Sequence, residues 1–207
     1  MLEFAMSAPP RPPSGRRVAG AKLALKPVDV WGIRVRLQVA LKARDLALFD
    51  LALDSKLRGC DLMSLTVSDL LSSTGVRSRV MILQRKTGRP VQFEVTEQTR
   101  RSLTAWLNQN NMAREEWLFP SRSKRGSHLS TRQYARLVDR WVALIGLDPT
   151  SYGTHSMRRT KVSLLYKKTG NLRACQLLLG HTKLESTVRY LGVEVDDALE
   201  LSEALEL

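Results

Sequence analysis

Tyr190 stands nine residues after His181 in LLGHTKLESTVRY, and HSMRR places His155 and Arg158 a little earlier. Arg58 lies far upstream in SKLRGCDL, and Lys86 falls between them in QRKTGRP. In chain order the set is Arg, Lys, His-x-x-Arg, His, Tyr, side-chain types that can attack, clamp and protonate a phosphodiester. A tyrosine phenolate can open such a bond by taking the phosphoryl group into a covalent ester, which keeps the bond energy available to a returning hydroxyl. The attack concentrates negative charge on the nonbridging oxygens, so fixed cations must face them. Arginine suits that task because its forked guanidinium is always charged and binds two oxygens at once. Arg58 and Arg158 fit the clamp. His155 and Arg158 are i and i+3, hence on one face of a helix, and Asp61 follows Arg58 by three, close enough on a helix to orient the guanidinium or a neighbour.

Taken singly, each side chain has a plainer reading. His-x-x-Arg is a common solvated pair on helices, Lys86 is an ordinary turn lysine beside Arg85 and Arg89, either of which could take a hairpin role, and Tyr190 beside Val188 and Leu191 could be a core tyrosine. The weight lies in the order of the whole set.

These residues need elements to position them. Residues 1–26 hold four prolines within positions 9–13 and then Arg16 and Arg17, a composition that reads as a disordered basic arm, either passive or in contact with phosphates. From about Asp29 the apolar spacing of Val30, Ile33, Val35, Leu37 and Leu41 predicts an amphipathic helix, and Asp45 to Leu53 a second. Leu57 to Leu65 reads as a short helix carrying Arg58, with an extended piece around Val67. RVMILQRKTGRPVQFEV reads as two strands joined at Lys86, Thr87 and Gly88, because β-rich runs flank a glycine-containing turn. Thr96 caps a helix to Asn108, with Leu103, Trp106 and Leu107 on one face. Phe119 to Leu129 is a basic loop, and Ser130 opens the next helix. Further helices are expected at Thr154–Lys168, Asn171–Leu179 and Glu185–Tyr190, and from Asp196 to Ala204. No internal repeat is present.

Composition narrows the partner. A chain of 207 residues with 43% apolar side chains can bury one good core. All 33 Lys and Arg precede residue 191 while six of the 20 acids follow it, leaving 33 basic against 14 acidic side chains in the body. Such a polycation binds polyanions through counterion release, nucleic acid above all. Charge alone would suit a ribosomal protein or an RNA chaperone, but the stacking-aromatic motif of RNA recognition modules is missing. Cys60 and Cys175 read as core residues, without metal-ligand spacing between them. No 18-residue apolar run or signal peptide is seen, so a cytoplasmic, reduced protein is expected.

The order and the local text resemble the catalytic domain of the tyrosine recombinases, the phage integrase family of DNA strand-exchange enzymes. RGCDLMSL resembles the segment around that family's first arginine, HSMRRT its His-x-x-Arg-Arg-Thr signature, and LLGHTKLESTVRY its Leu-Gly-His to Tyr segment. The resemblance covers about residues 28–193. It implies an α+β, mainly α-helical catalytic domain with a small antiparallel β-sheet or hairpin over 27–193, flanked by the arm at 1–26 and an acidic amphipathic helix at 194–207. It implies Tyr190 as nucleophile in a 3′-phosphotyrosyl intermediate, Arg58 and Arg158 as the clamp, and Lys86 as proton donor to the departing 5′ oxygen. His155 would be general base or hydrogen-bond partner to the phosphate, and His181 a donor to a nonbridging oxygen. No cofactor or metal is expected, since the arginines supply the charge.

The implied partner is double-stranded DNA, gripped in part by Arg85, Arg89, Arg122, Lys124 and Arg125, within a homo-oligomeric, tetrameric synapse. Full-length members carry a separate helical DNA-binding domain ahead of the catalytic one, where this sequence has an arm and one or two helices, so an accessory DNA-binding protein could supply those contacts. Val195, Leu199, Leu201 and Leu205 accompany the acids of the tail, which could dock on a neighbouring protomer or fold back on its own basic surface. Two other outcomes stay open: supercoil relaxation of the type IB topoisomerase kind, and a non-catalytic DNA-binding regulator.

Overall fold

The computed structural model of the chain describes residues 22–191 and position 203. The acidic tail and residues 1–21 lie outside the described residues, so the expectations for them are not met or refused by the fold.

The core is organised around α2 (Ala43–Ser55), in which every residue from Ala47 to Ser55 is buried. Its DLALFDLAL text looks amphipathic, but a helix surrounded on all sides must hide its polar positions too, and it does so by pairing them. Asp50 accepts from Arg34 Nε at 2.6 Å, from α1 (Pro27–Val39). Asp54 accepts from the backbone N–H and hydroxyl of Thr96 and from the Thr99 hydroxyl. Phe49 meets Trp141 edge to face at 5.5 Å, fixing α2 against α6 (Thr131–Ala143).

After α2 the chain turns through Lys56, in the left-handed region at φ 54°, into α3 (Gly59–Met63) with Arg58 as its N-cap. The piece around Val67, expected to be extended, forms one further turn, α4 (Val67–Leu70), because the Asp69 carboxylate accepts from the Thr66 N–H at 2.8 Å and closes a capping box. A two-residue hairpin, β1 (Leu71–Ser72) with β2 (Gly75–Val76), follows.

The expected hairpin pairs β3 (Arg79–Leu83) with β4 (Pro90–Glu94), antiparallel, from Arg79 opposite Glu94 to Leu83 opposite Pro90. Val80, Val91 and Phe93 face the core. Its loop is longer than the three expected residues, because Gln84 and Arg89 close it, the Gln84 N–H donating to the Arg89 carbonyl at 2.9 Å. α5 (Glu97–Asn110) starts on Thr96 and α6 on a Ser130–Gln133 capping box, as their sequences ask.

Beneath the hairpin sits a charged cluster. Lys161 Nζ lies 2.6 Å from both Asp54 Oδ1 and Glu94 Oε1, and the fully buried Lys56 bonds both oxygens of Glu94. It ties α2, β4 and the start of α5 to α7 (Thr154–Thr169). α7, α8 (Leu172–Leu179) and α9 (Leu184–Leu191) enclose a second apolar cluster of Val162, Cys175 and Leu179, with Tyr190 at its margin. Both cysteines are free.

The last five residues of the expected arm do not behave as one. Residues 22–26 run extended along the body: the Leu23 N–H donates to the Ser151 carbonyl, the Leu25 N–H to the Thr160 hydroxyl, and the Leu25 side chain is buried. One apolar anchor and a row of backbone hydrogen bonds suffice to hold them.

Candidate active site

Arg58 takes an extended backbone at the head of α3, which turns its half-buried side chain toward the hairpin, where Nη1 donates to Gln84 Oε1 at 2.8 Å. Asp61, one turn on and buried, accepts at Oδ1 from the Arg85 N–H at 2.9 Å. Its carboxylate therefore anchors the base of the Lys86 loop and makes no hydrogen bond to Arg58.

α7 starts at Thr154, so His155 falls in its first turn, where it is exposed, and the buried Arg158 and Arg159 open the second. Arg158 Nη2 donates to the Leu179 carbonyl at the end of α8 at 2.6 Å, while its Nε has no partner among the described residues. α8 then ends on Gly180 in the left-handed conformation, which throws the chain sideways and delivers His181. His181 Nδ1 meets the buried Thr187 hydroxyl at 3.1 Å, leaving Nε2 open.

α9 carries Tyr190 back over this group. Its hydroxyl donates to the His155 carbonyl at 3.2 Å. The His181 ring meets it edge on at 5.5 Å, and the guanidinium carbons of Arg158 and Arg159 lie 5.7 and 4.9 Å from the ring centroid. Tyr190 thus meets the His155 carbonyl, the His181 ring and the Arg158 and Arg159 guanidiniums, and the charge of Arg58 reaches it as well, although these residues are spread over more than half of the sequence.

The electrostatics follow from burial among cations. Burial, then the charges of Arg158 and Arg58, push His181 down to about 4, so its imidazole is neutral at neutral pH. Burial and the same arginines, with Arg159, lower His155 as well. Burial raises the Tyr190 phenol, against which Arg158, Arg159 and Arg58 all pull downward. An anionic phosphate between these arginines would find charge-assisted donors already aimed, including guanidinium N–H groups that the fold leaves unused.

Lys86 is exposed at the rim in the Gln84–Arg89 loop and makes no hydrogen bond or ion pair among the described residues. Arg85, Arg89, Arg122, Lys124 and Arg125 are exposed too. Arg122 borders a cleft of about 720 Å³ that also collects Arg36, Lys42, Arg44 and Arg140, with Asp45 as the only acid among the described residues of its lining. Among the described residues no three His, Cys, Asp or Glu side chains are grouped as a metal ion would require, and no helix is long and apolar enough to cross a membrane.

Three residues in or beside the site escaped the sequence reading. Arg159 was signalled by the doubled arginine of HSMRRT, although either arginine of a helical pair could have faced the tyrosine. Gln84 and Thr187 gave no signal, since an amide in a hairpin and a hydroxyl in a helix are ordinary until their partners are known. The cleft cations Arg44 and Arg140 come from helices nearly a hundred residues apart, and no local pattern unites them.

The sequence profile described as Phage integrase family matches residues 34–196. Tyrosine recombinase XerD of Rhizobium meliloti (strain 1021) is 31% identical over 157 residues, covering 75% of this chain and 49% of that protein. The crystal structure of XerA recombinase superposes with a TM-score of 0.72 at 18% identity, over 95% of this chain and 66% of that one. XerH site-specific recombinase bound to a palindromic difH substrate, a post-cleavage complex, gives 0.68 at 20% identity over 88% of this chain and 53% of that one. These structures share the fold. The chain spans about half the length of its XerD relative.

Proposed function

Since the chain belongs to the phage integrase family, we propose that it is a site-specific DNA recombinase or integrase that cleaves and rejoins strands through a 3′-phosphotyrosyl intermediate. The supporting observation is the enclosure of Tyr190 by Arg158, Arg159 and His181, with the charge of Arg58 reaching it too. In this reading Arg58 and Arg158 hold the nonbridging oxygens, and His181, neutral and steadied by Thr187, adds a hydrogen bond through Nε2. The phenol proton passes to His155 as the Tyr190 oxygen bonds phosphorus. Lys86 protonates the 5′ oxygen as its bond to phosphorus breaks. The return step reverses each transfer.

Double-stranded DNA is the substrate, with the loop cations Arg122, Lys124 and Arg125 and the hairpin cations Arg85 and Arg89 on its phosphates. Protomers assemble in fours on two duplexes, with an accessory DNA-binding protein completing the grip. In the same reading residues 27–193 form the catalytic unit, between a basic segment and an acidic one, and the reaction takes place in the cytoplasm.

Covalent capture tests this. Protein incubated with supercoiled DNA is quenched with detergent, and protein-linked DNA is compared for wild type and Tyr190→Phe. An adduct from wild type alone, with equal DNA binding by both, is the expected result. Equal adducts from both would remove Tyr190 from the chemistry, and binding without any adduct would assign the chain to the non-catalytic DNA binders.

A further inference from the structure

Gln84 is a polar side chain in an apolar place. It is 1% exposed, at the end of a strand whose neighbours Val80, Val91 and Phe93 are core residues. A buried amide is costly unless hydrogen bonded, and its partners show what it holds. Oε1 accepts from Arg58 Nη1 at 2.8 Å and from the Thr87 hydroxyl at 2.9 Å. The Gln84 carbonyl accepts from the Gly88 N–H at 2.8 Å. Nε2 lies 3.1 Å from the position a Cβ would take on Gly180, the residue before His181. One side chain thus touches the three segments that carry Arg58, Lys86 and His181.

Resting on the reading of Tyr190 chemistry above, the geometry points to Gln84 as a positioning residue that fixes the Lys86 loop relative to the Arg58 clamp. Arg58 spends one donor on Gln84, and its rotation is set by that bond while the remaining N–H groups stay available to phosphate. Thr87 is exposed, and its hydroxyl anchors the residue next to Lys86 on the same acceptor oxygen. The proton donor and the charge clamp therefore move together. Gln84 itself touches no reacting atom.

Two substitutions separate the halves of this junction. Gln84→Met keeps length and removes both hydrogen bonds, whereas Thr87→Val, on the surface, cuts only the tie to the loop and Thr87→Ser restores it. The first readout needs no activity: the rate at which trypsin cleaves after Lys86 in the folded protein, followed by mass spectrometry. It should rise in Gln84→Met and Thr87→Val and stay at the wild-type rate in Thr87→Ser.

The second readout is single-turnover attachment to a nicked duplex spanning the position where wild type attaches. The duplex carries either an ordinary phosphodiester or a 5′-bridging phosphorothiolate, whose sulfur departs without a proton donor. Thr87→Val should attach about tenfold more slowly to the ordinary bond and nearly as fast as wild type to the phosphorothiolate, because only acid catalysis is disturbed. Gln84→Met should lose about 100-fold on the ordinary bond and regain only part of it, because Arg58 is loosened too.

Wild-type trypsin rates and wild-type attachment by both variants would overturn the proposal while leaving the Tyr190 reading intact. An equal deficit of Thr87→Val on both substrates would likewise overturn it. A wild type without any Tyr190-dependent adduct would overturn the reading and this proposal with it.

Discussion

Gly180 offers a quantitative test of how the hairpin and the His181 turn fit together. It sits at φ +64°, and a Cβ there would come within 2.6 Å of Val91 Cγ2 and 3.1 Å of Gln84 Nε2. Val91 is 4% exposed on β4, so it has nowhere to swing. Gly180→Ala therefore meets two costs: the left-handed backbone, about 1 kcal/mol for a residue with a Cβ, and overlap with a packed strand, about 1–3 kcal/mol. Gly170 supplies the control. It ends α7 at φ +63° with nothing within 4 Å of the same position, so Gly170→Ala bears the backbone cost alone. Denaturant unfolding should show Gly170→Ala down by about 1 kcal/mol and Gly180→Ala by about 2–4 kcal/mol. In a domain of this size each kcal/mol corresponds to roughly 2–4 °C in Tm. Equal losses in the two variants, to within about 0.5 kcal/mol, would refute the close approach of the α8–α9 turn to β4.

Further outcomes follow from the same geometry. Arg159→Gln removes a cation from beside Tyr190 and so raises the phenol pKa, moving the alkaline rise of the attachment rate to higher pH; an unshifted profile would mean that Arg159 does not act on the nucleophile. His181 is held about neutral by a pKa near 4, below its unfolded value, so stability is full above pH 6.5 and drains as pH falls toward 4. For a half-buried group that is about 1 kcal/mol between pH 7 and pH 5. His181→Gln should remove that part of the slope in denaturant titrations at the two pH values. Asp54 and Glu94 carry pKa values lowered by Lys161 despite burial that would raise them, so their stabilisation holds above about pH 4.5 and is lost in stronger acid. Lys161→Met should cost about 1–2 kcal/mol at pH 7, less than a fully buried pair because Asp54 keeps its threonine donors, and the gap should close on acidification.

The parts of the fold that were legible in the sequence are those set by neighbours along the chain. Thr96, Ser130 and Asn171 cap helices where their short polar side chains precede an apolar-periodic stretch, and β3 and β4 flank a glycine turn. α4 was misread because Val67 looks β-forming while the Thr66–Asp69 box decides locally for helix. α2 looked amphipathic because its spacing is, yet the neighbours that bury its outer face, α5 and α7, lie far along the chain. Residues 22–26 looked like more of the arm because the Ser151 carbonyl and the Thr160 hydroxyl that hold them lie far along the chain. At the site, residue types in order pointed to the tyrosine, arginines and histidines proposed above, and of these His155, Arg158 and His181 lie against Tyr190. Nothing in the local text could show that Asp61 would serve the Arg85 backbone, or that Arg159 would lie over the tyrosine ring.

The site is also split in time. Roughly 130 residues separate Arg58 from Tyr190, and a ribosome adding about 5–20 residues per second needs on the order of ten seconds to cross that distance. During that interval the emerging chain already displays Arg58, the hairpin cations and most of the basic cleft, while α9 has not been made. Under the function proposed above, docking of α9 onto α7 and α8 completes the site, and a chain stalled short of residue 190 carries the cations without Tyr190.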